Sequence, residues 1–238
     1  MSLTRAQLRT QTQRHMDSVS SKRWDTTAGT TGEIENELGY VHFKEWTRIL
    51  NANRHYRLNK VQPTTDANGY IALTGLTTGT GDAVRNFYRV ILVVINNYIY
   101  KTGTQEEWAL GQAQGVAPRV WFLTDSGTAS AILPLPVMAS YTFTGVGDFI
   151  WVNWYPTRLD KLSGDGVTVD FPDGYEDIIA LEAAGNLLLK GGAEPEGASA
   201  LKKLASDKRD EMLQDLSREA AKATRAQYED TAAMWGGN

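Results

Sequence analysis

Phe171-Pro172-Asp173-Gly174-Tyr175-Glu176-Asp177-Ile178-Ile179-Ala180-Leu181-Glu182-Ala183-Ala184 is the stretch from which the fold is read. Pro172-Asp173 precedes an alanine-rich run, Asp173 can cap, and Glu176 stands three residues on. Ile178, Leu181, Gly185 and Leu188 then repeat at steps of three and four, which predicts a helix with one apolar stripe. Lys190 followed by Gly191-Gly192 stops it. Upstream the pattern is different. Phe149 and Trp151 alternate along a strand that ends near Tyr155-Pro156, and a Gly- and Asp-rich connection over residues 158–170 joins strand to helix.

Working toward the C-terminus, residues 194–197 form a linker containing Pro195, and a last helix is predicted from Ala198 to about Tyr228. Its apolar positions are Leu201, Ala205, Met212, Leu216, Ala220 and Ala223. Basic residues, among them Lys208, Arg209, Lys222 and Arg225, balance the acidic ones, so this helix is expected to be long, solvated and narrow-seamed. Residues 231–238 carry Met234-Trp235 before a Gly-Gly end. They read either as a fold-back onto the last helix or as an extended docking tail, since a large aromatic anchor is the residue type that dominates interface energies.

Working toward the N-terminus, residues 56–157 are aromatic and β-branched with turn residues at short intervals. Strands are predicted at 56–62, 70–73, 88–95, 97–102, 119–124, 129–133, 140–144 and 149–155. Asn68-Gly69 and Asn96-Asn97 supply hairpin turns. Trp108, Trp121, Trp151 and Trp154 lie in this segment, which reads as an antiparallel sandwich or barrel. Before it, Thr30 and Glu33 have capping spacing, and Ile34, Leu38, Val41, Trp46, Ile49 and Leu50 share one face of a helix over 32–53. Earlier still, Thr4 and Gln7 form a capping box flanked by Leu3 and Leu8, opening a helix over residues 5–17. Between these helices, residues 18–31 are a polar loop with Trp24 as its one large anchor.

The expected fold is therefore α+β: a four-helix bundle with an antiparallel β module inserted between helices two and three, a long C-terminal helix and an extended tail. Residues 1–55 and 158–230 supply the bundle, 56–157 the module and 231–238 the tail. Leu8, Leu38, Trp46, Ile178, Leu181, Leu188 and Leu216 are its candidate core.

Composition limits the function. With 238 residues and 42% hydrophobic content, the chain can bury a sizeable core. A net charge of -4 argues against an adhesive nucleic-acid binder. The absence of cysteine removes thiol nucleophiles, disulfides and cysteine metal sites. The longest apolar run, from Val90, is strand-sized, so no membrane span is expected, and the polar N-terminus predicts no export signal.

A search for catalytic apparatus finds little. His15, His42 and His55 have no second ligand at a spacing of three or four, so zinc is not expected. Gly79-Thr80-Gly81 lacks the lysine of a phosphate loop, and Ser126 lacks the flanking glycines of a nucleophile elbow. Asp160, Asp165, Asp170, Asp173, Glu176 and Asp177 form an acidic cluster without EF-hand spacing, explained mainly by capping and solubility. The chain is read as non-enzymatic, with no cofactor.

The layout and several strings resemble the head-to-tail adaptor proteins of tailed bacteriophages. The resemblance rests on Asn153-Trp154-Tyr155-Pro156, the acidic connection, the Phe171 to Ala184 run and the charged helix after it, with Leu3-Thr4 and Trp24 near the N-terminus. It implies a homo-oligomeric ring, twelvefold to match a portal, at the virion neck and in the host cytoplasm during assembly. Double-stranded DNA would pass through the lumen without sequence-specific binding, and the next partner would be a tail or nozzle protein. It assigns portal binding to Lys222, Arg225, Tyr228, Met234 and Trp235. The alternatives are another neck or tail component such as a stopper or tail completion protein, a carbohydrate-active enzyme using Asp and Glu, and a carbohydrate-binding module on the aromatic β segment.

Overall fold

The computed structural model describes residues 2–17, 32–54, 56–65, 67, 70–73, 76–81, 84–115, 119–123, 132–134, 142–144, 149–190 and 194–235; the side chains of 70, 112, 132–134 and 220–235 are outside that description. The helices are α1 (Arg5–Asp17), α2 (Glu33–Ala52), α3 (Gln105–Ala113), α4 (Asp177–Lys190) and α5 (Pro195–Trp235). The chain is α+β and divides into two compact units. The first comprises Met1–Tyr56, Gly81–Ala83 and Pro156–Asn238, the second Arg57–Thr80 and Val84–Tyr155.

The first unit is built on α1, α2, α4 and α5. Helix α1 opens as its capping box dictates: Thr4 N donates to Gln7 Oε1 (2.8 Å) and Gln7 N to Thr4 Oγ1 (3.3 Å). Residues just before it run beside the 165–169 stretch, with Arg5 N donating to Val167 O and Val169 N to Leu3 O. Helix α2 starts from Gly32 without a side-chain cap, in place of the expected Thr30 signature; Thr30 lies outside the described residues. Asn53 closes α2, its backbone N–H bonding Ile49 O at 2.8 Å.

Helix α4 is the one read from the Phe171 to Ala184 stretch. It begins at Asp177, not directly after Asp173; that earlier aspartate accepts from Ser2 Oγ, and Glu176 Oε2 takes the Gly174 N–H at 2.9 Å. α4 packs against α5, α1 and α2. It is buried almost all round, Ile178 through Gly185 and Leu187-Leu188, and is a central helix with apolar residues on every side, not a surface helix with one stripe. Leu8, Leu38, Trp46, Ile178, Leu181, Leu188 and Leu216 are all buried.

A 3₁₀ turn, Leu159–Lys161, lies against α2 where Gly39 has no side chain. A Cβ at Gly39 would stand 2.0 Å from Asp160 Oδ1, and Asp160 is itself buried and held by Arg158 (Nε to Oδ1, 3.0 Å). Overpacking of this kind costs about 2–3 kcal/mol. Gly39→Ala is therefore expected to lower the unfolding free energy by about that much in a urea titration, while Gly166→Ala, with nothing within 4 Å of its Cβ, changes little. Equal stability of the two variants would overturn the assignment.

The second unit contains β1 (Leu58–Val61), β2 (Tyr70–Ala72), β3 (Thr77–Thr78), β4 (Arg85–Ile95), β5 (Tyr98–Thr102), β6 (Val120–Trp121), β7 (Ile132–Pro134) and β8 (Phe149–Pro156), with α3 between β5 and β6. One sheet has the order β1-β8-β4-β5-β6, with β3 also on β4, and β2 pairs with β7 separately. Asn96 and Asn97, at φ of 51° and 62°, make the β4–β5 hairpin expected of an Asn pair. Two features depart from the sequence reading. The β5–β6 pair is parallel, so the sheet is not wholly antiparallel, and its crossover is α3, a helix the sequence reading does not contain. Trp108 accordingly sits on a helix. Among the described residues 142–144 of the strand expected over 140–144, Thr142 makes an isolated bridge to Thr64. Asn68 and Gly69 lie outside the described residues. Ile71, Leu73, Val93, Ile95, Trp121, Ile150, Val152 and Trp154 form this unit's core.

Candidate functional site

Helix α5 is 41 residues long. At about 1.5 Å per residue it spans about 60 Å, whereas its main partner α4, at 14 residues, spans about 20 Å. Pro195 occupies the first helical position, where its missing N–H costs nothing, and Ala198 N bonds Glu194 O at 2.9 Å. Ala198, Ala205, Met212 and Leu216 are its buried positions among the described side chains. The helix does not end near Tyr228 but runs to Trp235, which replaces the expected extended tail. Its last third contains many alanines and neither Gly nor Pro before Gly236, a composition that favours helix. Lys222, Arg225, Tyr228, Met234 and Trp235 are all on this backbone; their side chains lie outside the description.

The near half of α5 is fastened by buried ion pairs. Glu45 on α2 is fully buried and accepts both Nε (2.8 Å) and Nη2 (2.9 Å) of Arg209 in a two-pronged contact, and also Nη1 of Arg48. Glu182 on α4 accepts Arg209 Nη2 at one oxygen and Lys44 Nζ, at 2.6 Å, at the other. Burial by itself would raise the Glu182 carboxyl; the Lys44 hydrogen bond and the Arg209 charge outweigh it and hold the group below its ordinary range. Lys208 pairs with Asp177. Arg209 thus points into the packing, while Lys208 pairs with Asp177 at the part-exposed edge of that packing.

A second clasp joins α1 to α2. Glu35, fully buried, takes Arg5 Nε (2.9 Å) and Arg9 Nη1 (2.6 Å), while Arg9 also grips Asp165 (2.7 Å) and holds its carboxyl below the usual range. Glu37 is met by Lys190 and by Asn186 Nδ2 at 2.8 Å. The sequence carries a signal for some of these: Glu45 stands four residues from both Val41 and Ile49, on the apolar stripe.

Of the histidines, His42 is buried, its Nε2 lies 3.0 Å from Asp170 O, and Trp46 Nε1 donates to the same carbonyl at 2.8 Å. His42 Nε2 also stands 3.2 Å from Trp46 Nε1. A single ring nitrogen cannot both accept from the indole and donate to the carbonyl; with the indole N–H placed on Asp170 O, Nε2–H is the donor and Nδ1 is left buried without a partner. Burial pushes the imidazole down to about 4, only partly offset by the Asp170 carbonyl. His15 is also lowered by burial, and His55 lies outside the described residues.

The acidic cluster read from the sequence is dispersed: Asp160 faces Arg158, Asp165 faces Arg9, Asp173 meets Ser2, and Asp177 meets Lys208. Among the described residues no group of three His, Cys, Asp or Glu side chains converges to hold a metal. Ser126 lies outside the described residues, and Gly79 and Gly81 take φ of 85° and 57° in the turn before β4. Among the described residues no helix is long and apolar enough to cross a membrane.

Beside the fastened part of α5 lies an open groove of about 570 Å³, whose walls include Tyr56, Pro172, Tyr175, Glu211, Asp215 and Leu216. Tyr175 donates its hydroxyl to Asp215 Oδ2 at 2.6 Å, a bond that pushes the phenol up to about 12. The arrangement is a helix seated by buried ion pairs with a chemically mixed groove beside it. In comparisons with protein-family models and with curated proteins, no family model and no curated protein matches this chain.

Proposed function

We propose that this chain is a structural virion protein, a head-to-tail adaptor whose copies form a ring between the portal and the tail and continue the DNA channel. In this reading α1, α2, α4 and α5 act as a four-helix bundle, and the β unit is a module inserted between α2 and α4. The observation that carries it is the mismatch between α5 and its support: about 60 Å of helix on a partner of about 20 Å, with the near half locked by Glu45, Glu182 and Arg209. A helix about three times as long as the helix it packs on suits insertion into another subunit. Lys222, Arg225, Tyr228, Met234 and Trp235, all on the outreaching half, supply cationic and aromatic groups of the kind that anchor interfaces.

The role is assembly and not turnover, with a ring that is twelvefold where it meets a dodecameric portal. Its partners are further copies of itself, the portal and a tail or nozzle protein, with double-stranded DNA passing through.

Removal of residues 220–238, which lie beyond the ion pairs at Lys208 and Arg209, is expected to abolish co-sedimentation with portal protein purified from the same virion, with circular dichroism of the truncated form keeping folding separate from docking. Negative-stain images of the intact chain with that portal should show capped rings. A chain that stays monomeric beside the portal, or a truncated form that docks as before, would defeat the proposal.

A further inference from the structure

The described strands of the β unit carry charge at Lys60 on β1, Arg85 and Arg89 on β4 and Lys101 on β5, and every one of these residues is basic. None of these strands contains Asp or Glu. This local excess runs against the chain's net charge of -4.

The two sheet faces are also distinct. Along β8, Ile150, Val152 and Trp154 enter the core with Val61 packed against them. The alternate residues, Phe149, Trp151, Asn153 and Tyr155, therefore take the opposite face. Antiparallel register puts Lys60 directly across from Trp151, on that same face.

There, rings and cations interleave. Phe149 and Trp151 meet edge to face at 5.9 Å, and Lys60 Nζ stands 4.5 Å from the Phe149 ring centre. Arg89 donates Nε to Asn153 Oδ1 at 3.0 Å and lies 5.3 Å from the Tyr88 ring, which in turn meets Tyr155 edge to face at 6.2 Å. Phe149, Trp151, Tyr155 and Tyr88 are half-buried, and Lys60 is exposed.

Half-buried aromatic residues beside cations, with no carboxylate on the strands, complement a polymer that offers flat unpaired bases and phosphates in alternation. The geometry points to a binding face for single-stranded nucleic acid, centred on Lys60, Phe149 and Trp151. A base stacks on Trp151, and Lys60, held over the Phe149 ring, keeps its ammonium donors for the adjoining phosphate. Binding is sequence-tolerant, because every base has a π face. A duplex, whose bases are already stacked on one another, gains only the charge contribution. This site is independent of the ring proposal above.

The test is fluorescence anisotropy of 5′-fluorescein-labelled dT20 titrated with the full chain. Binding is expected at 50 mM NaCl, falling about sevenfold by 200 mM if two phosphates are neutralised, with a 20-base-pair duplex at least about tenfold weaker. Trp151→Ala is expected to weaken dT20 about tenfold or more. Lys60→Gln, a surface change that leaves the packing intact, should flatten the logarithmic salt slope by about 0.7. Circular dichroism of both variants keeps folding separate from binding. Absence of binding at 50 mM, duplex binding as tight as dT20, or heparin displacing dT20 with no effect of either substitution would overturn the proposal.

Discussion

Arg209→Ala is expected to cost about 3–5 kcal/mol of unfolding free energy, enough to unfold a large fraction of a marginally stable domain. The reason is what stays behind. Glu45 is fully buried and loses both of its Arg209 hydrogen bonds, keeping Arg48; Glu182 keeps Lys44 and the Arg48 guanidinium at 3.7 Å but loses that of Arg209. Two buried carboxylates then share Arg48 and Lys44, and a buried carboxylate stripped of part of its counter-charge costs more than the net worth of the pair it came from. Removing both sides tests this directly: Arg209→Met combined with Glu45→Gln should recover most of the loss. Urea denaturation of the two variants is the measurement. A loss below about 1 kcal/mol for Arg209→Ala, typical of a surface pair, would show that the cluster does not fasten α5.

Stability is also expected to fall as pH drops from 7 to 4, by about 3 kcal/mol, through His42. The sign follows from which state takes the proton first. In the unfolded chain an imidazole titrates near its ordinary 6.5, whereas in the fold burial holds His42 down to about 4. The contribution of neutral His42 is therefore complete above pH 6.5 and is lost as pH falls toward 4. Asp170 and Asp160 favour the charged ring and Arg158 opposes it, but loss of solvation dominates. His15, also lowered, acts in the same direction. The depressed carboxyls of Glu182 and Asp165 act lower, since their contributions are present above the ordinary carboxylate range and fade below it. Urea titrations at pH 7, 5.5 and 4.5 isolate the histidine window. His42→Gln, which can still donate to the Asp170 carbonyl, should remove most of the slope there; a wild-type chain equally stable across these pH values would refute the mechanism.

Both experiments concern contacts that are long in sequence. Glu45 and Arg209 are 164 residues apart, and His42 and Asp170 are 128 apart. The stripe of α2 marks Glu45 as an oddity among apolar neighbours, yet nothing local names its partner. The Thr104–Glu107 capping box is a different case: Thr104 N donates to Glu107 Oε2 at 2.8 Å and Glu107 N to Thr104 Oγ1 at 3.2 Å, so the signal for α3 lies within a single turn of chain. The strand-like composition on either side obscures it.

What the amino-acid order determined by itself is local. The capping box at Thr4 and Gln7, the stripe of α2, the Asn96-Asn97 turn and the alternation of Phe149 and Trp151 each follow from hydrogen bonds or steric limits spanning a few residues, so they are readable without the fold. Tertiary structure alone decided the parallel β5–β6 pair, the burial of α4 on every side and the seating of Lys208 and Arg209. Those depend on which distant surfaces meet and exclude water, and a charged side chain reads the same in sequence whether it ends in solvent or against a buried carboxylate.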